Sequence, residues 1–192
     1  MSFGGVDEKH TLPLVAFPGG MADPTDRDSI HTAEREAFEE IGLEAHRYSC
    51  VGSLLPITDA RLVIITPVVA LLHSPQFVDF RLSSDEVSEA FYIDLERFLD
   101  ADQNYKVREV GDDFVTHHFQ VGPYNIWGVT AYELILLATL IYQRSPTFPV
   151  YRHGKYLDLE NTIEQQRDFF RMCVDHRNRE KIKDSNKETS RL

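Results

Sequence analysis

Long apolar runs are missing from this chain of 192 residues, and that absence bounds what it can be. The most apolar helical stretch, residues 130–142, contains Glu133. It is too short for a bilayer, which takes about 20 apolar residues, so a soluble protein without a membrane span is expected. Cysteine is scarce as well. Cys50 and Cys173 are the only two and show no paired spacing, which excludes a disulfide framework and suits a reducing compartment. Positive charge is in deficit: 20 Lys and Arg stand against 31 Asp and Glu, a formal net charge of −11. Such a chain is a poor general nucleic-acid binder, and a polyanionic substrate would need a local basic patch or metal ions. No secretory signal opens the sequence, and no repeat or second domain is visible. What remains is a globular composition, 42% hydrophobic, of a length suited to one domain with its own core.

The stretch from Phe17 to Leu43, FPGGMADPTDRDSIHTAEREAFEEIGL, organises the rest. Pro18, Gly19 and Gly20 break any preceding strand. Asp23, Pro24, Thr25, Asp26 and Asp28 continue a loop in which Asp28 suits a helix N-cap. From Ser29 onward, Ile30, Ala33, Ala37, Phe38 and Ile41 recur on one side of a helix, and Gly42 is placed to end it. Glu36, Glu39 and Glu40 stand three and four residues apart, so their carboxylates share the opposite face. Like charges so placed cost an isolated helix roughly 0.2–0.5 kcal/mol per pair. A hard cation between them would offset this, and Mg²⁺ is the usual ion where carboxylates share a metal with substrate phosphates. Arg35 lies one turn before Glu39 and could orient that carboxylate. An acidic helix face alone can equally be a solvated surface; the glycines at fixed offsets from the acids favour a site.

These residues resemble the box of the Nudix hydrolases, G-x(5)-E-x(7)-R-E-U-x-E-E-x-G-U with U a bulky apolar residue. Gly20, Arg35, Glu36, Glu39, Glu40, Gly42 and Leu43 occupy its fixed positions. Asp26 replaces the first glutamate, eight residues rather than seven separate it from Arg35, and Ala37 is small for its position. The FPGG run, Asp23, Asp26 and Thr32-Ala33 ahead of Arg35-Glu36 look like the coenzyme A diphosphatase branch, although Glu34 stands where that branch tends to be apolar. The resemblance implies an α/β fold, a Nudix-type α/β/α sandwich with a mixed sheet. The family's opening strands and its LLTxRS-type segment have no counterpart here, so the sheet is expected to be short on its N-terminal side.

Along the rest of the chain, residues 12–16 could form a brief strand, and residues 48–55 and 62–72 read as two more. The run LVIITPVVALL suggests burial on both faces, with Pro67 marking a bulge or edge. A short strand near residues 91–93 and a helical turn after it are expected. Residues 114–121 and 124–127 suggest a hairpin through Gly122-Pro123. His117 and His118, on opposite faces of a strand, cannot chelate one metal in regular geometry and read as structural or surface residues. Thr130 is expected to cap a helix with Leu134, Leu137, Ala138 and Ile141 towards the core. Trp127 reads more readily as a packed indole than as a pocket wall. A charged helix over residues 161–179 would partly bury Ile163, Phe169, Phe170 and Cys173. The domain is expected over residues 1–180, with a flexible polar tail over 181–192.

The resemblance implies hydrolysis of the diphosphate in coenzyme A or an acyl-CoA, giving 3′,5′-ADP and 4′-phosphopantetheine or its acyl form. Glu36, Glu39 and Glu40 would hold Mg²⁺ or Mn²⁺, which would neutralise the diphosphate and acidify an attacking water. Glu39, or Glu86 on a later loop, would take the proton. Arg35 would orient the acids, and the backbone at Gly19 and Gly20 would approach the substrate. The chain ends in Ser190-Arg191-Leu192, which resembles the peroxisomal address S-K-L with the charge kept, so a peroxisomal location and an import receptor are expected. Two alternatives stand beside this reading: a Nudix hydrolase of ADP-ribose or NADH, and a catalytically silent binding module.

Overall fold

The computed structural model describes residues 14–58, 63–110 and 114–189. Helix α1, Ser29–Ile41, begins and ends where its sequence directs. Asp28 is extended, and its Oδ1 accepts the His31 backbone N–H at 2.8 Å, satisfying one of the free donors of the first turn. At the other end Gly42 takes φ 67°, a left-handed conformation suited to glycine. The N–H groups of Gly42 and Leu43 close back onto Phe38 O at 2.9 Å and Ala37 O at 3.1 Å. Two further carbonyls of the last turn are satisfied from far along the chain. Ile41 O accepts from Arg81 N at 3.0 Å and Glu40 O from Ser83 N at 2.8 Å, so the loop after residue 80 is moored to the end of this helix.

Strand β1 (Tyr48–Ser53) pairs antiparallel with β4 (Val68–Leu72), through a bulge between Cys50 and Gly52. Between them β2 (Ile57–Thr58) pairs with β3 (Ile64–Ile65). The single strand expected over 62–72 is therefore divided. Proline cannot donate to a ladder, and Pro67 separates β3 from β4. Burial on both faces is also not met, since Leu71 is 66% exposed. β1 is the only strand paired with β4 among the described residues, and their small sheet is left largely open to water.

The second sheet joins β5 (Tyr105–Val110), β6 (Phe114–Val121) and β7 (Tyr124–Trp127), all antiparallel. The β6–β7 hairpin turns at 122–123 as its sequence suggests. β5 escapes a reading by hydrophobic pattern because Lys106, Arg108 and Glu109 interrupt its apolar residues. Alternation divides this sheet into two faces. Tyr105, His117, Phe119 and Ile126 face inward, towards α2 (Gly128–Tyr142) and Phe148. Phe98 and Leu99, on a 3₁₀ turn over Leu95–Leu99, complete the core with Ala131, Leu134, Ile135 and Ala138. His117 is buried there: its Nε2–H donates to Val150 O at 2.9 Å, and Nδ1 accepts from the Tyr105 hydroxyl at 2.9 Å. It is a structural histidine.

Several local expectations are corrected. Residues 14–16 form no strand; Val15 O instead accepts the Thr130 hydroxyl at 3.2 Å. Thr130 is thus a tether two residues inside α2, which already starts at Gly128. Ile141 is 57% exposed, because the last turn of α2 projects beyond the core. Residues 91–93 form no strand either; Phe91 stacks on Tyr124 with ring centres 4.6 Å apart, a side-chain contact in place of a ladder. Helix α3, Thr162–Thr189, passes well beyond 179 into the stretch expected to be a flexible tail. No glycine or proline interrupts it, so nothing local ends its hydrogen-bond ladder. Cys173 is buried, whereas Ile163 is 60% exposed on the outward side. Residue 12 and the tripeptide Ser190, Arg191, Leu192 lie outside the described residues. Helices and sheets combine in the α/β architecture expected, and among the described residues the ladders are antiparallel and form three sheets. None of the described helices is long and apolar enough to cross a membrane.

Candidate active site

Arg35 is the hub of the loop–helix unit. Its Nε and one terminal nitrogen donate to the two oxygens of Asp26, at 3.2 and 3.0 Å. The same terminal nitrogen reaches Met21 O at 3.1 Å, and the other donates to Glu36 at 2.8 Å and Glu39 at 2.9 Å. This is the planar guanidinium fork used in full. Asp26 is the anchor. Its side chain is only 2% exposed, and it also accepts the Asp23 backbone N–H at 2.9 Å. The bonds from Arg35, and then from Asp23, hold the Asp26 carboxyl far below the ordinary carboxylate range, while Asp26 and then Glu36 hold the Arg35 proton more tightly still. The loop accommodates its additional residue by folding on itself: Asp26 N donates to Asp23 O at 2.9 Å, and Thr25 bonds Asp23 Oδ1 through both backbone and hydroxyl.

The glycines lie directly against the acids. A Cβ on Gly20 would sit 2.2 Å from Glu36 Oε1, so any side chain there would push that carboxylate away from its bond with Arg35. Gly19 N–H points at Glu40 Oε1 from 3.4 Å. Burial raises the Glu40 carboxyl above its ordinary value; the Gly19 N–H opposes this, and the negative charges of Glu36 and Glu86 add to it. Glu86 is exposed, on the loop moored through Ser83, whose carbonyl accepts from Glu86 N at 3.1 Å. Its charge is felt at Glu40 although 46 residues separate them in sequence.

Gly19, Gly20, Arg35, Glu36, Glu39 and Glu40 are therefore brought together, with Glu86 beside them. Oxygen-only donors of this kind suit a hard divalent cation. In this structure, however, Arg35 takes one oxygen of Glu36 and one of Glu39, and Glu40 turns to Gly19. Among the described residues no three such side chains are already arranged around a common point. Sequence reasoning missed the Asp26–Arg35 anchor, whose trace was the substitution and altered spacing in the box. It also missed the mooring by Arg81 and Ser83, which had no local trace.

The NUDIX domain profile matches residues 5–114, and the chain belongs to the Nudix family. It is 37% identical over 145 residues to the peroxisomal coenzyme A diphosphatase NUDT7 of Mus musculus, which covers 71% of this chain and 60% of that protein. It is 37% identical over 147 residues to the mitochondrial coenzyme A diphosphatase NUDT8 of Mus musculus, covering 73% of this chain and 70% of that protein. The peroxisomal coenzyme A diphosphatase ndx-8 of Caenorhabditis elegans is 38% identical over 137 residues, covering 70% of this chain and 57% of that protein. The chain thus spans somewhat over half to about two thirds of the length of these relatives.

Proposed function

We propose that the chain is a coenzyme A diphosphatase. It cleaves the diphosphate of coenzyme A or an acyl-CoA to 3′,5′-ADP and 4′-phosphopantetheine or its acyl form. The relatives' names support the substrate. The observation that carries the chemistry is the contact of the Gly19-Gly20 turn with Glu36, which Arg35 holds, and with Glu40, which accepts the Gly19 N–H. Backbone N–H groups can there approach a phosphate at the point where carboxylates collect. Glu36, Glu39 and Glu40 would hold Mg²⁺ or Mn²⁺, which supplies charge neutralisation and a more acidic water. The chain's own residues do the rest. Asp26 fixes the guanidinium, Arg35 aims Glu36 and Glu39, and the Gly19 turn sets the distance of the diphosphate. Glu39, half-exposed on the helix, or Glu86, on its moored loop, accepts the proton of the attacking water. The tripeptide Ser190-Arg191-Leu192 addresses the protein to peroxisomes through the import receptor.

The test is release of 3′,5′-ADP from coenzyme A with and without Mg²⁺ or Mn²⁺, with ADP-ribose and NADH as competing substrates. Glu36→Gln and Glu40→Gln should each lower turnover at least tenfold, the equivalent of about 1.4 kcal/mol of transition-state stabilisation. Glu40→Gln should leave folding unimpaired, because it removes a repelling charge, whereas Glu36→Gln also weakens the charged bond from Arg35 and should cost some stability. Parent-like turnover in both variants would overturn the assignment of these acids, and faster cleavage of ADP-ribose or NADH would overturn the substrate.

A further inference from the structure

The outward face of the β5–β7 sheet carries side chains that the reaction above does not use. Lys106 and Arg108 lie two residues apart on β5, so they share this face, directly across from His118 and Thr116 respectively. Both cations are exposed, and among the described residues neither is ion-paired; the adjacent Glu109, on the other face, lies 3.5 Å from Arg152. Lysine on an edge strand can serve merely to block edge pairing. The groups beside these two indicate more.

His118 is 8% exposed, and its ring is stacked on Trp127, with centres 5.6 Å apart and planes within 1°. Asn125 Nδ2 donates to His118 Nδ1 at 3.2 Å, so Nδ1 is the unprotonated nitrogen. The proton is then on Nε2, which donates to Thr116 Oγ1 at 3.1 Å. Burial first, and Arg108 second, lower the proton affinity of this ring and keep it neutral. Thr116 Oγ1 is thus an acceptor towards His118, and its own O–H has no acceptor among the described residues. That hydroxyl lies on the strand beside Arg108. A relay from Asn125 through His118 therefore presents one oriented donor next to two unpaired cations, in a protein whose net charge is −11.

We propose that this face binds a phosphomonoester, with Lys106 and Arg108 supplying charge and Thr116 a hydroxyl donor. The inference rests on the substrate reading above, since coenzyme A carries a 3′-phosphate besides its diphosphate. The sheet is linked to the box through α2, which packs on its other face. Trp127 immediately precedes α2, and Thr130 of that helix holds Val15 O, four residues before Gly19. The cationic strand stands two strand spacings from Trp127, about 10 Å, a distance on the scale of one nucleotide.

Trp127 is the only tryptophan, so its fluorescence reports the face directly and independently of turnover. The full chain is titrated with adenosine 3′,5′-bisphosphate, adenosine 5′-monophosphate and inorganic phosphate. The bisphosphate should bind at least tenfold more tightly than either of the others. In Lys106→Ala/Arg108→Ala, with both sites exposed and the melting temperature unchanged, that preference should vanish, and Thr116→Val should reduce it several-fold. With coenzyme A as substrate, the double variant should raise KM about tenfold and leave kcat within twofold, while KM for dephospho-coenzyme A stays as in the parent. Equal binding of the two nucleotides by the parent would overturn the proposal, as would an unaltered preference in the double variant. Inorganic phosphate binding as tightly as the bisphosphate would do the same, pointing to a free anion. If the chain hydrolysed no coenzyme A yet kept the preference in fluorescence, the substrate reading would fail and the phosphomonoester site would stand.

Discussion

Glu133 occupies a position where its charge is costly, and replacing it should make the protein more stable at neutral and higher pH. It sits on α2 among residues of the core, 8% exposed, and its Oε1 has no hydrogen-bond partner among the described residues. Burial pushes its pKa from an ordinary 4.5 up to about 7. An acid whose folded pKa is raised is tolerated while protonated. The folded state therefore loses stability as pH rises from about 4.5 towards 7, and the loss is complete above that. The displacement corresponds to about 3 kcal/mol, a substantial share of the 5–15 kcal/mol that holds a domain together. Glu133→Gln keeps shape and polarity but cannot ionise. A buried amide without partners costs about 1–3 kcal/mol, but it costs the same at every pH. The informative quantity is thus the change in the parent–variant difference between pH 5 and pH 8. In urea or thermal unfolding it should move by about 2.5 kcal/mol in favour of the variant, or roughly 5–10 °C in Tm for a chain of this size. Parallel pH profiles for parent and variant would refute the argument and show that Glu133 finds a compensating partner or water.

Asp26→Asn should destabilise the protein at pH 7, because it takes the charge from the anchor of Arg35. The Asp26 carboxyl is held below its ordinary value by Arg35, so its contribution is present above about pH 4 and lost as pH falls through the folded pKa. The gap between parent and variant in unfolding should accordingly close towards pH 2, and a gap constant from pH 7 to 2 would count against the anchor. Gly42→Ala should cost about 1–2 kcal/mol for the left-handed backbone alone, and more because the new Cβ would meet Arg81 Cβ at 2.8 Å. Gly19→Ala, whose new Cβ meets nothing within 4 Å among the described residues, should change Tm little, and equal losses at the two glycines would sink the docking of the Arg81 loop as the reason. Removing Ser190-Arg191-Leu192 from a protein tagged at its N-terminus should shift it from peroxisomes to cytosol with activity intact; unchanged location by microscopy would exclude the tripeptide as the address.

Much of the site was legible because its geometry is local. Asp28 and Gly42 end the helix through bonds to residues within five positions, and the spacing of Glu36, Glu39 and Glu40 is a property of any helix. Strand reading failed where apolar content was taken for burial. Residues 62–72 look like a core strand, yet Pro67 divides them and Leu71 lies open, since a strand is buried by its neighbours and not by its own composition. The reverse error hid β5, where Lys106, Arg108 and Glu109 disguise a strand whose inward Tyr105 packs on Phe119 and Phe148.

The order of residues by itself determined helix α1, its caps, the acidic face and the hairpin through Gly122-Pro123, because these depend on contacts a few positions apart. Only the tertiary structure decided the partners of those groups. Arg35 could have served Glu39 alone; the fold of the 21–26 loop brings Asp26 and Met21 O to it. Nothing near Glu40 in sequence announces Glu86 or Ser83, and nothing near Thr116 announces Arg108. Such pairs join residues separated along the chain, and only the packing of a loop onto a helix end, or of one strand beside another, sets them within reach.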